Sequence, residues 1–303
     1  MAKQLLLLGG NGFIGQALCR RLATLPVQVV VVSHTQPRFA AANIRWRQAS
    51  LDDAALLHEL LPASEVVVHL VSHTTPGMSA RAPVREATEN LYPSLRLIET
   101  LQQYPQAHLV YLSSGGALYG PAAQIPVAET QCPHPQSYYG AGKVAVEAFL
   151  DALRAQGHPI TVLRPSNIYG PEQPLRPGFG LVRTVLEQIR RGNAITVWGD
   201  GSTIRDYLYI DDLVDALMSV IDKKLCGLFN LGYDHGHSIN EIVALARDTT
   251  GIAPTVHYAA DRKVDVPAIV LDSTAFRSLS GWQPKTGLED GMTRMWSWLK
   301  DTP

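Results

Sequence analysis

The sequence has few cysteines, no excess of either charge and no long apolar run. Its three cysteines, Cys19, Cys132 and Cys226, are odd in number and lack CxxC spacing. This excludes a disulfide framework and a cysteine-built zinc site, and a reducing compartment is expected. Lysine and arginine total 26 against 27 aspartate and glutamate residues, giving a net charge of −1. A chain without a basic field does not gather nucleic acid or anionic lipid, so anionic ligands need placed cations.

No stretch approaches the ~18 apolar residues that a membrane span requires. The N-terminal apolar run covers only Leu5–Leu8 and is too short for a signal peptide. We therefore expect a cytoplasmic protein with no membrane partner, no nucleic-acid partner and no metal.

Short apolar runs alternate with helical patterns in the first half of the chain. Short runs of this kind are typical of buried parallel strands, and strand–helix alternation predicts an α/β fold with a Rossmann-type doubly wound parallel sheet. The runs are Leu5–Leu8, Val29–Val32, Val66–Leu70, Leu109–Leu112 and Ile160–Leu163. The helical patterns are Ile14–Thr24, Ala54–Leu61, Asn90–Gln103 and Lys143–Ala155.

After about Pro165 the pattern loosens into stretches rich in glycine and proline, separated by isolated helical patterns. This predicts a dinucleotide-binding domain over residues 1–165, with parts of the later chain returning to it. Residues 166–303 are predicted to form mainly a smaller C-terminal α/β lobe that binds the substrate.

A glycine motif follows the first predicted strand. Gly9, Gly12 and Gly15 have G-x-x-G-x-x-G spacing and lead directly into a helix. Residues without Cβ permit a tight turn and close approach to a pyrophosphate, and the helix N-terminus supplies N–H donors. The motif predicts a dinucleotide site.

The second predicted strand lacks the acid that usually binds the adenosine ribose of NAD. It ends in Val32, Ser33 and His34, and the nearest downstream cation is Arg38. Rejection of a 2′-phosphate is not built in, so the choice between NAD and NADP stays open here.

Tyr139 and Lys143 stand four residues apart at the start of a predicted helix and share one of its faces. A nearby ammonium, helped by a cationic nicotinamide, would lower the pKa of a phenol from its usual value of about 10. Tyr139 could then accept a proton from a substrate hydroxyl while hydride leaves the same carbon.

With these motifs in place, the chain resembles the extended short-chain dehydrogenase/reductases, in the NAD-dependent nucleotide-sugar epimerase/dehydratase branch, and most of all the UDP-glucose 4-epimerases. The resemblance runs nearly end to end. It is carried by GGNGFIG (9–15), VVHL (67–70), NLYPSLRLIE (90–99), SSGGALYG (113–120), YGAGK (139–143), LRPSNIYGP (163–171), WGDGSTIRDYLYIDDL (198–213) and the closing RKVDVP, LD and GWQPK segments.

The resemblance implies which residues contact each ligand. Those expected to bind the cofactor are Gly9, Gly12, Phe13, Ile14, Gly15, Ser33, His34, Ser50, Leu51, Leu70, Val71, Ser72, Asn90, Tyr139, Lys143 and Ser166. Those expected to bind the UDP-sugar are Asn167, Arg205 and Arg262 at the diphosphate, Asp265 at the ribose, Thr196, Val197 and Trp198 at the uracil, and Leu181 and Ile269. Either arginine could instead form a surface ion pair.

One position departs from the family pattern. Most members carry serine or threonine as the third residue of the serine stretch, where this chain has Gly115. Ser114, a water molecule or direct contact of the substrate with Tyr139 could fill the gap. We count Ser114, Tyr139 and Lys143 as the candidate catalytic residues.

The resemblance implies a homodimeric 4-epimerase that acts on UDP-glucose or its N-acetylated counterpart with bound NAD. Ile269 stands where relatives limit space for an N-acetyl group, so both sugars are expected to enter. Two alternatives remain open: an NADPH-dependent 4-ketosugar reductase, suggested by Ser33, and a binding protein without turnover, suggested by Gly115. Candidate dimer or core positions are Leu95, Ile98, Phe149 and Leu153.

Overall fold

The computed structural model of the chain describes residues 4–122, 124–176, 178–260 and 266–302. The strands are β1 (Gln4–Leu8), β2 (Gln28–Ser33), β3 (Ile44–Gln48), β4 (Ser64–His69), β5 (His108–Leu112), β6 (Ile160–Pro165), β7 (Asn167–Tyr169), β8 (Ile195–Trp198), β9 (Ile204–Tyr209), β10 (Gly227–Leu231), β11 (Gly236–Ser238), β12 (Val256–Ala259) and β13 (Ala268–Ile269).

The helices are α1 (Phe13–Ala23), α2 (Ala54–Leu60), α3 (Pro76–Ser79), α4 (Pro83–Glu86), α5 (Tyr92–Leu101), α6 (Gly115–Leu118), α7 (Tyr138–Ala155), α8 (Leu181–Arg190), α9 (Ile210–Lys223), α10 (Ile239–Thr250), α11 (Thr274–Ser280) and α12 (Leu288–Asp301). A 3-10 turn spans Leu61–Ala63, and a π-helical turn spans Ala87–Leu91.

Seven strands form a parallel sheet in the order β10-β6-β5-β4-β1-β2-β3. Their apolar residues alternate between two cores because successive side chains point to opposite faces. Leu5 and Leu7 pack with α1 and α9 on one face, whereas Leu6 and Leu8 pack with α2, α5 and α7 on the other. The predicted Rossmann-type doubly wound fold is confirmed. Its strand order reverses between β1 and β4, where such folds bind dinucleotides.

Two strands of this sheet escaped the sequence analysis. β3 reads Ile-Arg-Trp-Arg-Gln and forms the sheet edge, where partial exposure permits polar residues. β10 comes from residues 227–231 and pairs with β6, so the later chain contributes the opposite edge. The boundary near residue 165 stays a prediction.

The remaining strands build the smaller C-terminal lobe. β9 pairs with β7, β11 and β13, and β8 pairs in parallel with β12. Because β7 follows β6 after a single residue, this lobe begins at the carboxyl edge of the large sheet.

A buried ion pair joins α7 to β6. The Arg164 guanidinium donates to both carboxylate oxygens of Glu147 at 2.5–3.1 Å, and its third contact is the Tyr119 hydroxyl at 2.8 Å. Tyr119 in turn donates to Asn230 Oδ1 at 2.6 Å. The pair is bidentate and almost free of solvent, so it fixes the position of α7 against the sheet.

Among the residues that the structure describes, none of the helices has the length and apolarity of a membrane span.

Candidate active site

The glycine turn between β1 and α1 leaves no space for side chains. Gly9 has a φ of +86°, and a Cβ there would lie 3.0 Å from the Val71 nitrogen. A Cβ on Gly15 would lie 2.5 Å from the Gly9 oxygen. These contacts bring α1 and the segment after β4 close to the turn, as a pyrophosphate cradle requires.

The first turn of α1 is open to an anion. Gly12 is its N-cap and makes no side-chain cap, and the first turn holds no acid. Asn11 Nδ2 donates to Thr35 Oγ1 and to the Gln36 oxygen, joining the glycine turn to the segment after β2. Uncapped N–H groups beside a glycine cradle fit the phosphates of a dinucleotide.

The adenosine end of the predicted site is polar and uncharged at β2. Ser33 is buried, and its hydroxyl lies 3.3 Å from Thr35 Oγ1. His34 and Ser50 are exposed, Leu51 is buried, and the His34 ring lies 5.2 Å from the His73 ring. The strand ends therefore bring these predicted cofactor residues to one edge of the sheet.

Helix α7 begins at a side-chain cap that aims Tyr139 into the site. Ser137 accepts a hydrogen bond from the Gly140 nitrogen at 3.1 Å. A Cβ on Gly140 would overlap the Ala117 oxygen, so α7 and α6 approach as closely as glycine allows. This contact sets Tyr139 beside the serine segment that precedes α6.

The Tyr139 hydroxyl has two serine partners. The side chains of Ser114 and Ser72 both hydrogen-bond it. Burial raises the pKa of Tyr139 to about 12, the two serine hydrogen bonds lower the pKa, and the charge of Glu86 raises the pKa. Of the alternatives that the sequence leaves open at Gly115, Ser114 is therefore the one with a hydroxyl at Tyr139.

Lys143 is buried beneath the same site. Its Nζ donates to the Leu112 oxygen at 3.0 Å and lies 4.9 Å from the Tyr111 ring centroid and 5.8 Å from that of Tyr139. Burial lowers the pKa of Lys143 to about 8, against the charges of Glu86 and Glu147, which raise the pKa. The ammonium is thus shared between two aromatic faces and one carbonyl.

The pKa of Tyr139 lies above its usual value, whereas the sequence analysis expects a neighbouring ammonium and a cationic nicotinamide to lower it. The physical reason is burial, which outweighs the serine hydrogen bonds in the chain alone. A phenolate here therefore needs a further positive charge on the cofactor side.

Gly115 is enclosed rather than exposed to a ligand. A Cβ there would overlap Leu271 Cδ1 and would lie 3.0 Å from the Arg164 oxygen. Leu271 thus occupies the space that a side chain at this position would need, which explains why Ser114 carries the hydroxyl instead.

The structure places two predicted diphosphate residues at the junction of the lobes. Asn167 Nδ2 donates to the Asp206 oxygen at 2.9 Å, and Asn167 Oδ1 lies 3.7 Å from where a Gly116 Cβ would be. Arg205 is the neighbour of Asp206 on β9 and donates to the Ile204 oxygen. Arg262 and Asp265 lie outside the described residues.

The other predicted substrate residues differ in exposure. Thr196 and Trp198 point outward from β8, whereas the Val197 side chain is buried in the core, so only its backbone could contact a ligand. Leu181 begins α8 and is half-buried. Ile269 is 2 % exposed and packs with Tyr119, Val127 and Leu271.

Further predicted cofactor residues line the carboxyl edge of the large sheet. Leu70, Val71 and Ser72 follow β4 and are half-buried, and the Val71 nitrogen donates to His69 Nδ1 at 3.2 Å. Phe13 and Ile14 are the first residues of α1 and pack against the core on that face of the large sheet. Ser166 follows β6, and its side chain is buried.

Sequence reasoning missed the acids that surround these residues. Glu86 is buried and binds Thr74 and Asn90. Asp206 is fully buried and accepts hydrogen bonds from the Tyr233 and Leu271 nitrogens, which joins β9 to the segments after β10 and β13. Burial raises the pKa of Asp206 to about 7. Asp206 stands beside Arg205 in the Arg-Asp-Tyr motif, whereas no pattern marks Glu86.

A doubly wound parallel sheet, a glycine cradle at its first turn and a Tyr–Lys pair with a buried lysine at its carboxyl edge define a dinucleotide-dependent enzyme of the short-chain dehydrogenase/reductase type. Residues 5–232 match the profile of the NAD dependent epimerase/dehydratase family. The chain belongs to this family, which confirms the resemblance and the prediction of NAD as cofactor.

Similar proteins are matched over almost their whole length. A UDP-glucose 4-epimerase of Mycolicibacterium smegmatis is 31% identical, with 95% of this chain and 96% of the relative covered. The crystal structure of UDP-glucose 4-epimerase with UDP-glucose from Thermotoga maritima has a TM-score of 0.91 at 32% identity, covering 98% and 99% of the two chains. That of the Thermus thermophilus UDP-glucose 4-epimerase in complex with NAD has a TM-score of 0.91 at 28% identity, covering 99% and 100%.

Gly115 and Gly116 offer a matched test of the packing at the serine segment. We expect Gly115→Ala to lower the free energy of unfolding by about 1–3 kcal/mol, because the new methyl group overlaps Leu271 and Arg164. Gly116→Ala meets its nearest atoms only at 3.7 and 3.8 Å and should cost far less. Urea unfolding measures both, and equal free energies of unfolding for the two variants would contradict the packing described.

Proposed function

We propose that this protein is a nucleotide-sugar 4-epimerase that oxidises the sugar at carbon 4 and reduces it again from the opposite face. The observation that carries the proposal is the Tyr139 hydroxyl, which is bonded to Ser114 and Ser72 beside a buried Lys143. This arrangement can move one proton to and from a sugar hydroxyl. Relatives that match nearly end to end are UDP-glucose 4-epimerases, which supports the same chemistry here.

Bound NAD supplies a hydride acceptor and a cationic ring whose charge favours the phenolate. Tyr139 accepts the proton of the 4-hydroxyl. It returns a proton to the 4-keto oxygen after the sugar has rotated to present its opposite face. Ser114 holds the phenol and the sugar oxygen in line, and Ser72 is the second serine at the phenol. Lys143 holds the nicotinamide ribose and adds positive charge below the phenol ring.

The proposed substrate is a UDP-hexose. Asn167 on β7 pairs with Tyr207 on β9 and lies beside Gly116 of α6, and Arg205 stands two residues before Tyr207. We assign Asn167 and Arg205 to the diphosphate with Arg262. A guanidinium can form two parallel hydrogen bonds to phosphate oxygens. A chain with almost no net charge needs such local cations to bind an anionic ligand. Asp265 is assigned to the ribose, and Thr196, Val197 and Trp198 to the uracil. Ile269 is assigned to the sugar pocket, with UDP-glucose and UDP-N-acetylglucosamine as the substrates to compare.

Two other functions give different results in the same assay. A 4-ketosugar reductase would consume reduced cofactor in proportion to product, whereas an epimerase interconverts two sugars without net redox change. A binding protein without turnover would hold the sugar nucleotide and convert none of it. Incubation with UDP-glucose and UDP-N-acetylglucosamine, followed by separation of the 4-epimers, identifies an epimerase. Oxidation of NADPH in the presence of a nucleotide 4-ketosugar identifies a reductase, and binding of the sugar nucleotide without either reaction identifies a binding protein.

We expect Tyr139→Phe to lower turnover at least ~100-fold while the protein still folds and binds NAD, because only the transferring hydroxyl is lost. Tyr138→Phe is the matched control, since Tyr138 is 46% exposed and begins the same helix. The rate of 4-epimer formation measures both.

The serine partner should matter less than the phenol. Ser114→Ala is expected to lower the same rate by about 10-fold. Near-normal turnover in Tyr139→Phe would remove the proposed mechanism, and unchanged turnover in Ser114→Ala would remove Ser114 from the site.

We also propose that the protein is a homodimer formed through α5 and α7. The two helices pack side by side, and Tyr92 and Phe149 are large apolar side chains that remain 54% and 49% exposed on them. Ile98 and Leu153 are buried in the core, and Leu95 is partly buried against it, so Phe149 is the strongest interface candidate among the four predicted positions.

Phe149→Glu should convert the dimer to a monomer, because a carboxylate in an apolar interface is costly. Leu279→Glu is the control, since Leu279 is 54% exposed on α11, which packs on the other face of the sheet. Light scattering at micromolar concentration should give about half the parent mass for the first variant only. A monomeric parent would refute the interface.

A further inference from the structure

Glu86 is a buried carboxylate beside the candidate active site. It ends the short helix α4 and is 3 % exposed. One carboxylate oxygen accepts a hydrogen bond from Thr74 Oγ1, and Oε1 accepts one from Asn90 Nδ2 at 3.0 Å. Both donors are neutral, so these contacts leave the negative charge of Glu86 without a compensating cation.

The same carboxylate presses against helix α7. A Cβ built on Gly142 would lie 2.8 Å from Glu86 Oε1 and 3.0 Å from its Cγ, so a glycine is needed at this point of the helix. Gly142 lies between Tyr139 and Lys143 in the sequence, one residue before the lysine. The carboxylate therefore contacts α7 within one helical turn of both Tyr139 and Lys143.

Lys143 is a buried charge of the opposite sign. It is 5 % exposed, and its ammonium contacts a neutral carbonyl and two aromatic rings. Glu147, one turn further along α7, is held by the Arg164 guanidinium. Glu86 and Lys143 are thus two buried opposite charges close to Gly142, and each reduces the cost of burying the other.

The hydrogen bonds of Glu86 also reach the segment that carries Ser72. Asn90, in the π-helical turn, donates to Glu86 and Thr74 and accepts from the His73 nitrogen at 2.8 Å. Ser72 donates to the Thr74 oxygen at 3.2 Å. Residues 72–74 are therefore held in place by Glu86 and Asn90 together.

We infer that Glu86 is a positioning residue of the active site: its carboxylate balances the Lys143 ammonium across Gly142 and, with Asn90, fixes the segment that holds Ser72 against Tyr139. The catalytic part of this inference rests on the proposed function. The charge balance is a property of the fold without substrate.

The sign of the effect follows from the charge. A negative charge favours the ammonium and disfavours the phenolate, so Glu86 raises the pKa of Lys143 and of Tyr139, although burial has the larger influence on both. Removing the charge should lower both pKa values, by about one unit. Lys143, whose pKa is about 8, would then lose its proton near neutral pH.

Other titratable groups face this cluster without changing the sign. His69 on β4 is buried beside Lys143, and burial lowers its pKa to about 3, so it is neutral. Burial also lowers the pKa of His73, and Tyr111 on β5 has a pKa well above its usual value because it is buried. Glu89 forms an ion pair with Arg85 at the surface.

The direct test is the titration of Lys143 in Glu86→Gln, which removes the charge at nearly constant volume. In protein labelled with ¹³C-lysine, the Lys143 Cε resonance is assigned by its loss in Lys143→Arg and followed against pH without cofactor or substrate. We expect the Lys143 pKa to fall by about one unit in Glu86→Gln. Glu89→Gln, which removes a surface acid three residues away, should leave the pKa unchanged.

If Glu86→Gln does not fold, the same titration is performed on Glu86→Asp. It keeps the charge but withdraws it by one methylene, so a smaller fall in the Lys143 pKa is expected. An unshifted Lys143 titration in a folded Glu86 variant overturns the inference, as does an equal shift in Glu89→Gln.

The catalytic part is tested by the pH dependence of kcat. The alkaline limb should move to lower pH in Glu86→Gln by the same amount as the Lys143 pKa, and it should move less in Glu86→Asp. An unmoved limb overturns this part. A parent protein without epimerase activity would instead refute the proposed function, while the shifted Lys143 titration would still support the charge balance.

Discussion

Helix α7 carries Tyr139 and Lys143, the proposed proton-transferring residue and the cation beside it, and two buried polar contacts hold the helix against the sheet. Arg164 on β6 binds Glu147 through both carboxylate oxygens, and Lys143 donates to the Leu112 oxygen at the end of β5. These contacts attach one face of α7 to two adjacent strands. Because breaking a buried ion pair leaves an uncompensated charge, the attachment is hard to loosen. Because α7 is fixed in this way, the Tyr139 hydroxyl is held in place beside the serine segment.

The same geometry explains the glycines around α7. Gly140 admits the Ala117 oxygen, Gly142 admits the Glu86 carboxylate, and Gly115 admits Leu271. Each glycine lets a neighbouring element approach a reacting side chain more closely than a Cβ would allow. The charges follow the same arrangement: the chain is nearly neutral, and the buried acids Glu86, Glu147 and Asp206 lie beside the elements that build the site.

The sequence predicts the central strands and the glycine cradle because their signals are local. Apolar runs mark β1, β2, β4, β5 and β6, and Tyr139 and Lys143 share one helical face. It fails at β3, whose edge position admits arginines, and at Gly115, because the space there is filled by Leu271 from far along the chain. The sequence does not predict Glu86 for the same reason, since the partners of Glu86 come from three separate segments of the chain. The raised pKa of Tyr139 depends on burial, which spacing alone does not give.

The central claim is that carbon 4 loses a hydrogen as hydride and regains the same hydrogen on the opposite face, while Tyr139 moves only the oxygen-bound proton. UDP-glucose deuterated at carbon 4 tests this directly, with the 4-epimer analysed by mass spectrometry and NMR. The account predicts that the epimer retains the deuterium at carbon 4, because the hydride leaves and returns within one closed site. Epimer in which solvent hydrogen has replaced the deuterium would contradict it.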